Sequence, residues 1–179
     1  MTNSSKPTIS ITDLDQVCIV VRDLDKSMKS MWNTFGIGPW DIYIRDCNST
    51  RDGESISNMT YHGKPARFSY KVAVTHNKLG GIQIELVQPV EGDNIYSDFL
   101  REHGEGTHHL GWYVVDSQEA FAETTRMLEK GGFPCIQSMR VYAAALAYFD
   151  TTKVLNTILE VAWWDPSRSM PAPARVFPE

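Results

Sequence analysis

The sequence predicts an α+β protein made of two tandem βαβββ modules, their strands joined in one cupped, partly open mixed sheet with the helices outside. Three observations predict it. The phrase HGEGTHHLGWYVVD, residues 103–116, echoes LDQVCIVVRD, residues 14–23: in each a strand-forming run ends at an aspartate, and Gln16 stands where His109 stands. Each run then leads into a segment of helical period and three strand-like segments. The last of these, Ile82–Val87 in one half and Asn156–Val161 in the other, carries a single glutamate, Glu85 or Glu160. Two such units, each with one apolar sheet face, bury those faces together and leave a concave interior as the place for a site.

In chain order, residues 1–11 are a polar arm and residues 12–90 the first module. Its first strand covers 14–21. A helix over 23–35 is capped by Asp23, has Leu24, Met28, Met31, Trp32 and Phe35 at helical spacing, and ends at Gly36 before Pro39. Strands are expected at 40–46, 66–75 and 82–88, with a Ser-, Asn- and Gly-rich loop or irregular hairpin over 47–65. Residues 91–106 form a linker with a short helix near 95–102. The second module spans 107–164. Its strand at 107–115 puts His109, Gly111, Tyr113 and Val115 on one face, and His108 with Leu110, Trp112 and Val114 on the other. Asp116 and Glu119 have capping-box spacing before a helix at 117–130, and strands follow near 134–140, 142–149 and 156–162. The tail, 165–179, carries four prolines and is expected to be extended.

Composition narrows the function. A net charge of −5 argues against nucleic acid, which needs a basic surface. Three cysteines at no metal-finger spacing, Cys18, Cys47 and Cys135, indicate a reducing compartment without a disulfide framework. With no apolar signal core and no membrane-length apolar run, the expectation is a cytoplasmic protein with no membrane partner.

The chemistry is expected from four residues. An ionised carboxylate inside an apolar strand needs a cation, a hydrogen-bond network or a proton, so Glu85 and Glu160 each require a partner. The repeat supplies Gln16 and His109 at equivalent places. Gln16, Glu85, His109 and Glu160 together offer the nitrogen and oxygen donors of a site for one divalent metal ion, whether Zn, Co, Ni, Mn or Mg. Trp40, Tyr43, Trp112 and Tyr148 are the aromatic candidates for substrate binding.

The paired modules, the HGEG-x-HHLG phrase, the IELVQP strand and the terminal ILEV strand resemble the vicinal oxygen chelate superfamily (glyoxalase, bleomycin resistance and dioxygenase proteins) over roughly residues 12–165. The branch most similar is that of methylmalonyl-CoA epimerase. The resemblance implies the same four metal ligands, a homodimer, and a small-molecule carbonyl substrate, apolar or aromatic, or an acyl thioester. It also implies a metal-dependent epimerase or isomerase in which a glutamate, Glu160 or Glu85, removes a proton next to a carbonyl and the metal stabilises the enolate. A glyoxalase-type lyase uses the same enolate. Epimerases of the branch have His where Gln16 stands, whereas the set Gln, Glu, His, Glu is like zinc glyoxalase I. Val20 and Pro89, however, replace that enzyme's arginine and asparagine, which argues against glutathione. An extradiol-type dioxygenase, with two histidines and one carboxylate on iron, matches less well. A binding or resistance protein for an apolar ligand is the non-catalytic alternative.

Overall fold

The structure, a computed structural model, describes residues 9–51, 54–113 and 116–178. The first half runs β1 (Gln16–Val20), α1 (Leu24–Phe35), β2 (Trp40–Arg45), β3 (Ile56–Tyr61), β4 (Lys64–Pro65), β5 (Ser69–Thr75) and β6 (Gln83–Glu91). The helix α2 (Ile95–Glu102) links it to β7 (Gly106–Tyr113), α3 (Gln118–Lys130), β8 (Cys135–Val141), β9 (Ala144–Asp150), α4 (Thr152–Leu155) and β10 (Ile158–Trp164). The tail adds β11 (Arg175–Phe177).

The strands form one open sheet in the order β11-β2-β5-β6-β1-β7-β10-β9-β8-β3-β4. The expected repeat is visible in it. Each half lays its first strand parallel to its last, β1 with β6 and β7 with β10, and its other two strands antiparallel beyond. The halves meet where β1 pairs antiparallel with β7, so the sheet has a local twofold at its centre. Among the described residues no helix is long and apolar enough to cross a membrane.

Apolar residues sort by strand parity. On the convex side Leu24 and Met28 of α1 pack on Trp40, Ile42, Ala73 and Leu86. Under α3, Leu128 and Phe121 meet Phe149, Leu159 and Val161. The concave side gathers Cys18, Val20, Tyr43, Tyr70, Val72 and Tyr148, and α2 packs Ile95 and Tyr96 into the same cluster. Asp23 caps α1 by accepting the Lys26 amide at 3.0 Å, and Gly36 closes that helix.

Several boundaries differ from the sequence reading. The capping residue of α3 is Ser117, whose hydroxyl accepts the Ala120 amide at 3.0 Å, and not Asp116. The last strands of the second half start later than expected because of two local features. A tight turn at Tyr142, φ 53°, separates β8 from β9, and α4 with left-handed Asn156, φ 54°, precedes β10. The expected end of β7, residues 114–115, lies outside the described residues, as does the side chain of Tyr113. Within 47–65 the chain forms the β3–β4 hairpin, turned at His62 and Gly63 with φ 46° and 72°. That hairpin pairs with β8, so a segment of the first half completes the outer edge of the second. The tail is extended as expected, and its β11 covers the edge of β2.

Gly92 joins β6 to α2 with φ 76°, and a Cβ there would stand 2.2 Å from the Arg67 carbonyl oxygen. Gly92→Ala should therefore destabilise the fold by about 2 kcal/mol or more, against about 1 kcal/mol for removing the Asp23 cap. Denaturant unfolding checks both. Equal midpoints for the two variants would contradict the close approach at Gly92.

Candidate metal centre

The four central strands, β6, β1, β7 and β10, build the floor of the cup in two cross-strand rows. One row runs Glu85, Cys18, His109, Ile158. The next runs Gln83, Gln16, Gly111, Glu160, Tyr148. Residues opposite one another in a sheet share a face, so the pairing delivers Gln16, Glu85, His109 and Glu160 to the same concave surface.

The donors converge around His109. Its Nε2 lies 3.2 Å from Oε2 of Glu160 and 3.4 Å from Oε2 of Glu85. Gly111 leaves the space between Gln16 and Glu160 open. A Cβ there would be 3.4 Å from Oε1 of Gln16 and 3.3 Å from Oε2 of Glu160, and only 2.9 Å from Cβ of Gln16. His109 is fully buried, Gln16 and Glu160 nearly so, and Glu85 keeps 14% side-chain exposure toward the cavity.

Neighbouring groups hold these donors in place. The Gln16 amide donates from Nε2 to Oε1 of Gln83 at 3.0 Å, and Gln83 donates onward to the Thr75 carbonyl at 3.3 Å. This chain leaves the Gln16 carbonyl oxygen facing inward. The Tyr148 hydroxyl donates to Oε1 of Glu160 at 2.9 Å and accepts from the Tyr96 hydroxyl at 3.0 Å. Burial first, then the Glu160 charge, push the Tyr148 phenol well above its ordinary range, so it acts as a donor.

Two buried atoms bear on whether the set could hold a cation. Nε2 of His109 and Oε2 of Glu160 face each other, yet neither has a hydrogen-bond partner among the described residues. Buried polar atoms are paired as a rule. Donors placed about 2.1 Å from a common divalent ion lie roughly 3.0–3.4 Å from one another. The two His109–carboxylate separations fall near that range, whereas the two carboxylates lie more than 4.8 Å apart and would have to draw together around an ion. One imidazole, two carboxylates and an amide oxygen suit a borderline or hard divalent metal. Burial alone would pull His109 down, but Cys18, Glu160 and Glu85 beside it outweigh burial and leave it well above its ordinary value. Burial pushes the Cys18 thiol up.

A second group of donors shares His109. Cys18, His108 and His109 offer ligand atoms within 4.8 Å of one another. A metal bound there would take the thiol as thiolate, since a coordinated thiol loses its proton, so this buried set is a second candidate for the ion. His108 corrects the sequence reading, which set it on the opposite face. Between Cys18–His109 and Ile19–Thr107 the β1–β7 register slips, leaving His108 as the extra residue of a bulge. Its Nδ1 lies 2.9 Å from Nδ1 of His109, and its ring packs against Tyr96 and Phe99.

A cavity of about 450 Å³ opens over this floor, with Gln16, Glu85 and Glu160 in its wall. Of the aromatic candidates, Tyr43 and Tyr148 line it. Trp40 and Trp112 do not: their strand positions turn them to the convex side, under α1 and α3. Residues absent from the sequence reading of the site are Gln83, Tyr96, Gly111 and Arg45. Gln83 and Gly111 each lie two residues from a candidate ligand on the same strand face, a signal the alternation contained. Tyr96 belongs to the linker, which has no counterpart in the repeat.

Comparison with known proteins follows the same line. Residues 15–149 match the family model described as the Glyoxalase/Bleomycin resistance protein/Dioxygenase superfamily. No curated protein matches by sequence. Among solved structures, a hypothetical protein from Bacillus halodurans superposes with a TM-score of 0.58 at 16% identity, over 88% of this chain and 97% of its own. Methylmalonyl-CoA epimerase from Mycobacterium tuberculosis gives 0.56 at 18% identity, over 92% and 95%. A variant Streptomyces coelicolor methylmalonyl-CoA epimerase in complex with 2-nitronate-propionyl-CoA gives 0.54 at 16%, over 87% and 99%. At these identities the likeness is one of fold.

His109→Ala should remove most bound divalent metal, and Tyr148→Phe or Gln83→Met should weaken it roughly 10–100-fold, the range for groups that orient a ligand. Competition against a chromophoric chelator measures each, with circular dichroism as the folding check. Undiminished affinity in His109→Ala would rule out this centre.

Proposed function

We propose, from the premise that this chain belongs to the glyoxalase/bleomycin resistance protein/dioxygenase superfamily, that it is a divalent-metal-dependent epimerase or isomerase moving a proton at the carbon next to a carbonyl. The observation that carries this reading is the pair of carboxylates, one from each half, that approach Nε2 of His109 at 3.4 and 3.2 Å on the cavity floor. Gln16, Glu85, His109 and Glu160 would hold the ion. When bound there, a divalent cation supplies a Lewis acid that polarises a carbonyl and lowers the pKa of the adjacent C–H.

The protein's own groups then handle the proton. Glu160 is the first base. Its Oε1 is occupied by the Tyr148 hydroxyl and its Oε2 would face the ion, so Glu160 acts as a base by releasing Oε2 from the ion as the substrate carbonyl arrives. Glu85 stands on β6, separated from β10 by the β1–β7 pair, and reaches the substrate from the other side. Epimerisation would need Glu85 to enter the turnover carrying a proton, which it gives to the opposite face of the carbon while Glu160 keeps the one it removed. Return from Glu160 to a neighbouring carbon is isomerisation. The substrate is a small carbonyl compound or acyl thioester, held against Tyr43 and Tyr148.

Glu160→Gln preserves size and some ligand capacity but removes the base. It should slow washout of the substrate α-hydrogen into deuterated water by about 10²-fold or more, with metal content unchanged. Aryl ketones and 2-methylacyl thioesters are the substrates to assay. Washout at the parent rate would reduce Glu160 to a ligand and transfer the role to Glu85.

A further inference from the structure

The cavity has a second polar feature that the proton chemistry does not use. Arg45 lies in its wall, on the face of β2 that also carries Tyr43, and retains only 6% exposure. Its guanidinium sits 4.8 Å from the centroid of the Tyr43 ring, and Tyr70 is its cross-strand partner on β5. Most of the remaining wall is ring or hydrocarbon, including Tyr70, Tyr96, Tyr148, Val72 and Leu146.

Position and chemistry together suggest what the arginine meets. Glu85 shares a register row with Val74 and Asp41, and Arg45 lies four residues beyond Asp41 on β2. Two strand spacings and four residues along a flat sheet amount to roughly 16 Å between the Cα atoms of Glu85 and Arg45. Two long side chains reach inward from those ends, so a ligand spanning them has several bonds between its two polar groups. A planar guanidinium with five N–H donors matches a carboxylate better than any neutral oxygen, and a low-dielectric wall strengthens the contact. Arg45 has interactions of its own within the protein. The ligand contact needs only part of its donor fork. At about 450 Å³ the cavity suits a drug-sized molecule rather than an entire nucleotide-bearing thioester.

We infer that the substrate is a compact aryl or unsaturated keto acid, its enolisable carbonyl at the Glu85–Glu160 end and its carboxylate, several bonds away, anchored by Arg45. This deepens the proposed function and rests on it for the carbonyl end alone. Arg45 is thus a specificity-determining residue that selects an anion without taking part in proton transfer.

The test compares β-benzoylpropionate, an aryl ketone with a remote carboxylate, and its primary amide, which has the same shape and no charge. Calorimetry on the metal-loaded parent protein should show the acid binding at least tenfold tighter than the amide. Arg45→Met keeps much of the side-chain stem and should bring the two within about twofold, while Arg45→Lys restores part of the preference. Lys78→Met, at the other cationic side chain of the cavity wall, should leave it intact. Equal binding of acid and amide by the parent, binding of neither, or a tenfold preference surviving in Arg45→Met would overturn the inference. The parent comparison decides even if the methionine variant does not fold. Deuterium washout on the same compounds separates the two claims. Arg45-dependent binding without washout refutes the proton chemistry and leaves the anion anchor standing. Washout at equal efficiency from acid and amide refutes the anchor and leaves the chemistry.

Discussion

Two glutamates, one from each half, meet one imidazole at the floor of an apolar cup, and the arrangement of the central strands is what brings them together. Glu85 and Glu160 come from opposite halves and would be far apart in either module alone. The antiparallel β1–β7 pairing brings them to one imidazole nitrogen, at 3.4 and 3.2 Å. Cys18 and the two glutamates hold His109 above its ordinary value. A divalent ion would balance both carboxylates and would also give partners to Nε2 of His109 and Oε2 of Glu160, two of the buried atoms without a hydrogen bond among the described residues. The metal reading therefore follows from charge balance as much as from donor geometry.

The local twofold explains what else must hold at the floor. Cys18 and Gly111 occupy equivalent places, each two residues beyond Gln16 or His109 and each beside a glutamate of the neighbouring parallel strand. Both are small. A larger side chain at either place would stand between the carboxylate and the centre, and at Gly111 even one carbon meets Gln16 at 2.9 Å. Cys18 thus serves as a compact neutral filler, its thiol kept protonated by burial. It packs in the apolar cluster of the concave side as a small hydrophobe would.

What was legible in the sequence is what the repeat dictates. Internal comparison set Gln16 against His109 and Glu85 against Glu160, and strand alternation put each pair on one face. What was not legible depends on contacts without a period. The bulge that turns His108 toward His109 is a slip in pairing between two strands, and alternation counted along one strand cannot register it. Trp40 and Trp112 were placed by residue type, whereas their parity, shared with Ile42 and Leu110, already sent them under the helices. The β3–β4 hairpin is one of the two readings of 47–65, and the pattern could not choose between hairpin and loop because its further pairing partner, β8, is distant in the chain.

These unrepeated parts are also the ones that make the cavity asymmetric. A symmetric floor offers equivalent environments to both ends of a substrate and cannot orient it. Tyr96 enters from the linker helix and, through Tyr148, ties down one oxygen of Glu160, while no hydroxyl is bonded in the same way to Glu85. Arg45 and Tyr43 come from β2, and the tail contributes Met170 to the same wall. The two carboxylates are in consequence chemically unequal. Glu160 is buried and held by a phenol, and Glu85 is more open to the cavity. Inequality of this kind is what a proton-transfer site needs, since one group must take a proton that the other, or a different atom, gives back. The repeat builds a place for charge, and the insertions around it give that place a direction.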